Sequence, residues 1–526
     1  MTETDMKSHP KIEKILWILV ILCAVMTIPS LMHGRMFRYA WIDEAVSILM
    51  SEGSFLELLE ALRYDSGPPL FYVLLSLWMK LFGNSEFGTR VLSLLFHLAT
   101  VGGVYLVGRT LFDRESGRIA AILYVCSPLA ARHAVDTRMY VMVSCWTIFS
   151  TLYFARIFLL NSKRPRDVCF YALTLFFGMM THYWFAFVMM AQFASVLVVC
   201  CSSRERSPAI WSPARRTVLF RLVLAAGTAT LLMIILWGRM FLLQWQNDAI
   251  SWIPRPQFFL TFGLSIMDFV RYGTVATIAY AVMGLAIVLG LCGKGVATCV
   301  DRLAGGFRDQ RVLCLLALII VALAVPLGIS QFKPIYWIGR QSIVGLAPFA
   351  VLLGGIFARC GVRVPVLLGC LILCVGFCVV HASPQMEYEG CRDRDAALAV
   401  QKRSEPHDVL LFPGLSRGTV EYNLLQVGAR DRFQIVSFPE NMALHRGWMD
   451  VKALQNHPQE ALREAMRVVG RITERLQSGQ QVFLFNSRRQ TMCVVLGQLL
   501  EKEFRVSDTI NIGGSYYEEI VVYERE

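Results

Sequence analysis

Asp43 and Glu44 stand side by side in the stretch Trp41-Ile42-Asp43-Glu44-Ala45, directly after the first apolar run of a 526-residue chain. A carboxylate can take the proton of an attacking hydroxyl, and a charged one near mid-bilayer costs on the order of 3 kcal/mol to keep there. The same pair also suits the first turn of a surface helix, where the helix dipole favours negative charge. Both readings stay open for Asp43, and Glu44 adds a third, that of positioning its neighbour. More charges recur downstream: Asp65 ahead of Gly67-Pro68-Pro69, Asp136 and Arg138 in Asp-Thr-Arg-Met-Tyr, His182 in Thr-His-Tyr, and Lys333 and Arg340 in Lys-Pro-Ile-Tyr-Trp-Ile-Gly-Arg. An arginine fork and a lysine point charge suit a phosphate. Each has a bland counterpart: a turn for Asp65, an ion pair between Asp136 and Arg138, a hydrogen bond inside a bundle for His182, and snorkelling to headgroups for Lys333 and Arg340.

The elements that must position these groups are membrane helices. Apolar residues make up 55% of the chain and charged residues 17%, with a mean hydropathy of +0.51, which excludes a soluble globular protein. The net charge of +12 falls largely in short loops between apolar runs, so it reports topology and argues against nucleic acid as a partner. All cysteines but Cys391 and Cys493 lie in or beside apolar segments. Zinc spacing is absent, and whether Cys391 and Cys493 pair is open.

Apolar runs at 15–32, 91–112, 119–131, 139–160, 168–181, 184–201, 218–241, 275–292, 312–329, 342–357 and 364–381 predict about eleven spans. Lys7, Lys11 and Lys14 precede the first run and put the N-terminus in the cytoplasm. The segment 68–83 begins with two prolines, carries Lys80 and falls short of the roughly 20 residues a span needs, so it is predicted to lie along the outer interface. With it flat, the basic loops at 161–167, 202–216, 294–311 and 359–363 all fall inside. Asp43, Asp65, Asp136, Arg138, His182, Lys333 and Arg340 then all end on the outer face. From residue 383 the composition becomes that of a soluble domain. Strands are predicted at 408–413, 481–486 and 518–523 and helices at 461–477 and 490–503, an α/β layer placed outside. The predicted domains are 1–382 and 383–526.

The fragments Trp41-Ile42-Asp43-Glu44-Ala45, Tyr64 to Tyr72, Ser85 to Arg90, Asp136 to Tyr140, Thr181 to Tyr183 and Lys333 to Arg340, in this order and on one side, resemble the dolichyl-phosphate-mannose protein mannosyltransferase superfamily. The resemblance is closest to its bacterial branch of lipid A aminoarabinose transferases and Rgt-type galacturonosyltransferases, and covers about residues 10 to 380. It implies a polytopic GT-C fold with in-plane helices, in a bacterial inner membrane. It also implies a glycosyltransferase that takes a hexosyl or pentosyl group from a polyprenyl-phosphate donor to a lipid, glycan or protein acceptor. Asp43 matches the family's catalytic loop carboxylate, the general base, and Asp43 and Glu44 are the expected catalytic residues. Arg340 matches an arginine after the Lys-Pro-x-Tyr segment, where Gln341 replaces a frequent tyrosine. Asp136 replaces a frequent glutamate, one methylene longer. Asp65, Asp136, Arg138, His182, Lys333 and Arg340 are the expected substrate-binding residues. A divalent metal is left open, and no organic cofactor is expected.

Two rivals remain at this level. A secondary transporter would carry its ionisable residues at the midplane and often repeat its halves; here the charges gather at outer helix ends and no repeat is visible. A catalytically silent relative that assembles envelope glycans would keep the fold without the chemistry, and the retained Asp43 and Arg340 weigh against it.

Overall fold

The computed structural model describes residues 10–202, 213–246, 252–270, 278–285, 309–359, 363–381, 388–447, 456–487, 490–514 and 516–525. Among the described residues, its first part holds helices and the turns and loops that join them. The helices are α1 (Pro10–Arg35), α2 (Ile42–Glu52), α3 (Phe55–Leu62), α4 (Leu70–Phe82), α5 (Glu86–Leu111), α6 (Arg114–Val125), α7 (Pro128–Ala134), α8 (Tyr140–Phe158), α9 (Pro165–Thr181), α10 (Phe185–Ser202), α11 (Pro213–Gln246), α12 (Phe258–Met267), α13 (Gln310–Ile329), α14 (Ile343–Arg359) and α15 (Arg363–Val380). Among the described residues, six helices are long and apolar enough to cross a membrane, within α1, α5, α8, α11, α13 and α15. Their outward surfaces are apolar, with Leu22 and Val25 of α1 and Ile235 and Leu236 of α11 largely exposed, as hydrocarbon rather than water requires.

The remaining apolar runs are shorter helices packed among these. Of the run predicted at 275–292 only 278–285, helical, is described. Segment 68–83 forms α4, only 13 residues and roughly 20 Å long at 1.5 Å per residue, which falls short of a 30 Å hydrocarbon core. The run 119–131 is broken. Pro128 disfavours helical geometry at the residue before it, so α6 stops at Val125, Ser127 turns the chain and its hydroxyl donates to the Phe269 carbonyl at 2.8 Å. The break releases α7 as a separate short helix, which carries His133 towards the loop of Asp136. Helix α5 packs on α6 and α8, α14 on α6, α10 on α13 and α1 on α15.

The C-terminal part is a five-stranded mixed sheet of β1 (Val409–Pro413), β2 (Gln434–Phe438), β3 (Gln481–Asn486), β4 (Arg505–Ile510) and β5 (Glu519–Glu524) in the order β2-β1-β3-β5-β4. Strand β1 runs parallel to β2 and β3, while β5 is antiparallel to β3 and β4. Helices α16 (Tyr388–Arg403), α17 (Arg417–Gln426), α18 (Pro458–Arg475) and α19 (Thr491–Leu500) complete it. One face of the sheet buries Leu410, Phe412, Phe483 and Phe485 with Ala396 and Val400 of α16, and the other buries Leu411 and Leu484 with Val468 and Ile472 of α18. The predicted strands 408–413, 481–486 and 518–523 and both predicted helices are present within a few residues. Cys493 is a buried free thiol; the side chain of Cys391 lies outside the described residues.

Helix α17 lies on α2. Tyr422 and Gln426 of α17 donate to the Asn84 carbonyl at 3.3 and 3.1 Å, and Arg430 pairs with Glu52 at 2.6 Å. The helix that opens with Asp43 and Glu44 is therefore held between the two parts of the chain.

Candidate active site

Asp43 sits in the first turn of α2. Its Oδ2 is 2.9 Å from Nη2 of Arg340, with the two side chains 25% and 20% exposed, so both can be reached from outside the fold. Arg340 is set by the turn before it. Gly339 adopts φ +79°, a left-handed conformation that a side chain would strain, and its carbonyl accepts from Nε2 of His133 at 2.6 Å. The guanidinium lies near two indoles, 5.5 Å from Trp41 and 5.4 Å from Trp252, and Trp252 itself rests on Trp337 at 5.2 Å. Aromatic faces of this kind hold a cation by about 0.5–2 kcal/mol each and fix the plane of its fork.

Glu44 is wholly buried and its acceptor positions are occupied. Arg90, equally buried, donates to Oε1 at 2.8 Å and to Oε2 at 2.6 Å; the backbone N–H of Thr137 and that of Trp41 add bonds of 3.0 and 3.4 Å. The rest of the Arg90 fork donates to the carbonyls of Met36, Arg38 and Tyr39. A buried charge pair is tolerable only when such hydrogen bonds are complete. This one ties the ends of α1 and α5, the start of α2 and the loop before α8 into one knot directly behind Asp43.

Asp136 is buried beside that knot. Its Oδ1 accepts from Trp41 Nε1 at 3.0 Å, Oδ2 is 3.5 Å from His133 Nδ1, and its carbonyl accepts from Ser93 at 2.6 Å. Burial would raise its pKa, but the nearby His133, the charge of Arg38 and the hydrogen bond from the Trp41 indole outweigh it and hold the carboxyl below the usual range. Trp41 thus hydrogen-bonds Asp136 at its rim and stacks on Arg340 with its face.

On the other side of Asp43, Arg138 donates to Ser47 Oγ at 2.9 Å and to Tyr72 OH at 3.3 Å. The Ser47 hydroxyl in turn donates to the Asp43 carbonyl one helical turn back at 2.6 Å, and Tyr72 donates to Asp65 Oδ2 at 2.5 Å. Burial disfavours the charged guanidinium of Arg138, and the facing Tyr72, Asp43, Tyr140 and Asp65 more than offset it. Asp43 therefore stands in the field of two arginines. His182 accepts the Trp184 N–H at Nδ1, 3.1 Å away, with its ring 6.1 Å from that of Tyr140. Burial first, and Arg138 second, push its pKa down to about 4, so it is neutral near pH 7. Lys333 lies 4.1 Å over the ring of Trp245. The neighbouring Gln244 donates to the carbonyls of Leu62 and Gly67, the loop that holds Asp65, at 2.6 and 2.9 Å.

This arrangement can be set against known proteins. Residues 66–237 match the family model of the dolichyl-phosphate-mannose-protein mannosyltransferases. No curated protein matches the chain in sequence. Among solved structures, ArnT from Cupriavidus metallidurans in the apo state superposes with a TM-score of 0.58 at 11% identity, over 96% of this chain and 97% of that one. ArnT from the same organism bound to undecaprenyl phosphate gives 0.56 at 12% identity, with the same coverage. The chain has a GT-C glycosyltransferase fold. The GT-C resemblance read from the fragments around Asp43, Asp136 and Arg340 is thus met by a match that runs through the helices and the C-terminal sheet alike.

Within this GT-C chain, Asp43, Asp65, Asp136, Arg138 and Arg340 are joined through Ser47, Tyr72, Trp41 and His133, and His182 faces Arg138. Glu44 is apart from them in kind, because Arg90 claims it. Among the described residues, no group of three His, Cys, Asp or Glu side chains is placed to hold a metal ion. A cavity of about 200 Å³ lies among Phe158, Val199, Arg215 and Leu219, at the opposite ends of α8 and α11 from the site.

Sequence reading passed over Arg90, His133, Ser47, Tyr72 and Trp252 as site members. His133 had a signal, its i,i+3 spacing to Asp136 across the end of α7. Trp252 had none, since a tryptophan in an outer loop is by default an interfacial anchor.

Proposed function

We propose that the protein is an integral membrane glycosyltransferase that moves one sugar from a polyprenyl-phosphate donor to a lipid, glycan or protein acceptor on the outer side of a bacterial inner membrane. The observation that carries the reading is the pairing of Asp43 with Arg340 at 2.9 Å in a reachable position, inside a GT-C fold. A base and an anion holder side by side are what glycosyl transfer from a phosphate needs.

In this reading the phosphate of the donor takes over the Arg340 fork, which its two indole neighbours keep oriented, and Lys333 adds charge from the Trp245 side. Asp43, released from Arg340, accepts the proton of the acceptor hydroxyl as its oxygen attacks the anomeric carbon. The bond from that carbon to the phosphate oxygen breaks with inversion, and the electron pair leaves on polyprenyl phosphate, whose charge Arg340 stabilises. Arg138 holds α2 through Ser47 and shares the negative field of Asp43 and Asp65, which offer acceptors to sugar hydroxyls. Glu44 positions Asp43 through Arg90 and takes no proton. Residues 1–382 form the catalytic membrane domain with a cytoplasmic N-terminus, and residues 383–526 form an outer domain.

The test is transfer from a panel of radiolabelled polyprenyl-phosphate hexoses and pentoses to envelope material by membranes that express the full chain. Incorporation from one donor supports the reading and names the sugar. Absence of incorporation from every donor, with the protein inserted and folded, contradicts it.

A further inference from the structure

The C-terminal part contributes more to α2 than a lid would. The loop 444–447 that follows β2 lies directly on this helix. A Cβ added to Gly447 would stand 3.0 and 3.1 Å from the two γ-carbons of Val46, and one added to Gly418 of α17 would stand 3.1 Å from the same side chain. These are closer than ordinary Cβ contacts, so two glycines let the loop and α17 settle on α2 less than one turn beyond Asp43.

The residue this loop carries inward is His445, only 6% exposed. Its Nδ1 accepts the N–H of Gly447 at 3.2 Å. That bond fixes the tautomer of the neutral ring, leaving the proton on Nε2 as a donor; among the described residues no hydrogen bond is made by Nε2. The charged groups whose fields act on the ring are Asp65 and Arg138 of the helical part and Arg446 of its own loop. Burial first, with Arg138 and Arg446 adding to it against Asp65, lowers its pKa, so the ring is neutral at pH 7. Behind it, Arg446 is engaged with Glu421 at 3.2 and 3.3 Å, and Glu421 also binds Arg417 at 2.5 Å, which anchors the loop to α17.

We infer that His445 is an acceptor-positioning residue: its Nε2–H hydrogen-bonds an oxygen of the glycosyl acceptor beside Asp65 and Arg138, so that the site is composite and needs the C-terminal part for recognition. The inference rests on the glycosyltransferase reading. It assigns His445 to the acceptor because the ring comes from the sheet unit, whereas Arg340, which holds the donor phosphate in that reading, comes from a segment between membrane helices. With water in place of the acceptor, Asp43 and Arg340 can work without it.

The experiment uses the full chain in liposomes with the radiolabelled polyprenyl-phosphate sugar that the wild type accepts. Two rates are read: release of sugar to water with no acceptor added, and transfer to a host envelope extract at increasing extract concentration. His445→Ala is expected to release sugar to water within twofold of the wild type and to need about tenfold more extract for half-maximal transfer, the loss of one hydrogen bond. His445→Gln keeps a side-chain donor and is expected to recover most of the difference, which separates hydrogen bonding from loop packing. Equal extract dependence in wild type and His445→Ala overturns the inference, as does a parallel fall of both rates or a failure of His445→Gln to recover. If the wild type itself neither releases nor transfers sugar, the glycosyltransferase reading fails first and takes this inference with it.

Discussion

Arg340 stands 2.9 Å from Asp43 and within 5.5 Å of the rings of both Trp41 and Trp252, so the segment before α14 and the start of α2 meet as one charged pair beside an aromatic clip. The clip orients the fork. Arg340→Lys keeps the charge but loses bidentate geometry and stacking. Its apparent KM for the polyprenyl-phosphate donor is expected to rise about tenfold, and Arg340→Ala about 100-fold, the range for losing charge-assisted hydrogen bonds. Donor titrations in membranes check this; an unchanged KM in both variants would remove Arg340 from the phosphate.

The Glu44–Arg90 pair predicts a stability phenotype. Removing one partner leaves the other as a buried, uncompensated charge, at a cost of about 3–5 kcal/mol. Glu44→Gln and Arg90→Met are each expected to lower the thermal midpoint in detergent strongly, and combining the two is expected to cost less than the sum. Midpoints of the four proteins, each corrected for insertion, test this.

Trp41 couples two groups, and that coupling is measurable. Trp41→Phe keeps a ring under Arg340 and deletes the Nε1 bond to Asp136, so a double-mutant cycle with Asp136→Ala, which removes the acceptor, is expected to give a coupling of roughly 1 kcal/mol. Because the Asp136 pKa is lowered in the fold, its stabilising contribution is present above the ordinary carboxylate range and is lost as pH falls through its depressed pKa. The stability gap between wild type and Asp136→Asn is expected to be flat from about pH 8 to 5 and to shrink below about pH 4. Chemical denaturation across that range checks the sign.

His182 is pushed down to about 4 from an unfolded value near 6.5. Between these values the unfolded chain binds the extra proton, so stability falls as pH drops through the window. His182→Gln is expected to flatten that slope and to leave the shape of the activity profile between about pH 6 and 8 unchanged, since the ring is already neutral there. Midpoints and rates measured together separate the two.

The helical class, the apolar runs and three of the five strands were legible in the sequence because periodicity and run length survive without tertiary context. Strand β4 was not, since all its residues but Ile510 are exposed, and an edge strand has no burial pattern to show. That Asp43 and Arg340 share the outer face was legible in run length and loop charge, but their direct pairing was not, because no local rule links residues so far apart in the chain. The partner of Glu44 was illegible for another reason. Arg90 lies in the second turn of α5, where an arginine reads as a surface or snorkelling residue, and only the fold reveals that it points inward at the loop carbonyls of residues 36, 38 and 39. His445 was hidden by its setting, since a generic α/β composition does not say which loop meets the membrane part.

The most direct measurement is sugar transfer from the accepted radiolabelled polyprenyl-phosphate donor by wild type and Asp43→Asn, inserted at equal levels and with matching thermal midpoints. With Asp43 as the general base, the asparagine variant is expected to lose between about 100- and 10,000-fold in turnover while the donor KM changes little. Turnover within a few-fold of the wild type would contradict the account and return Asp43 to the role of a helix-start carboxylate.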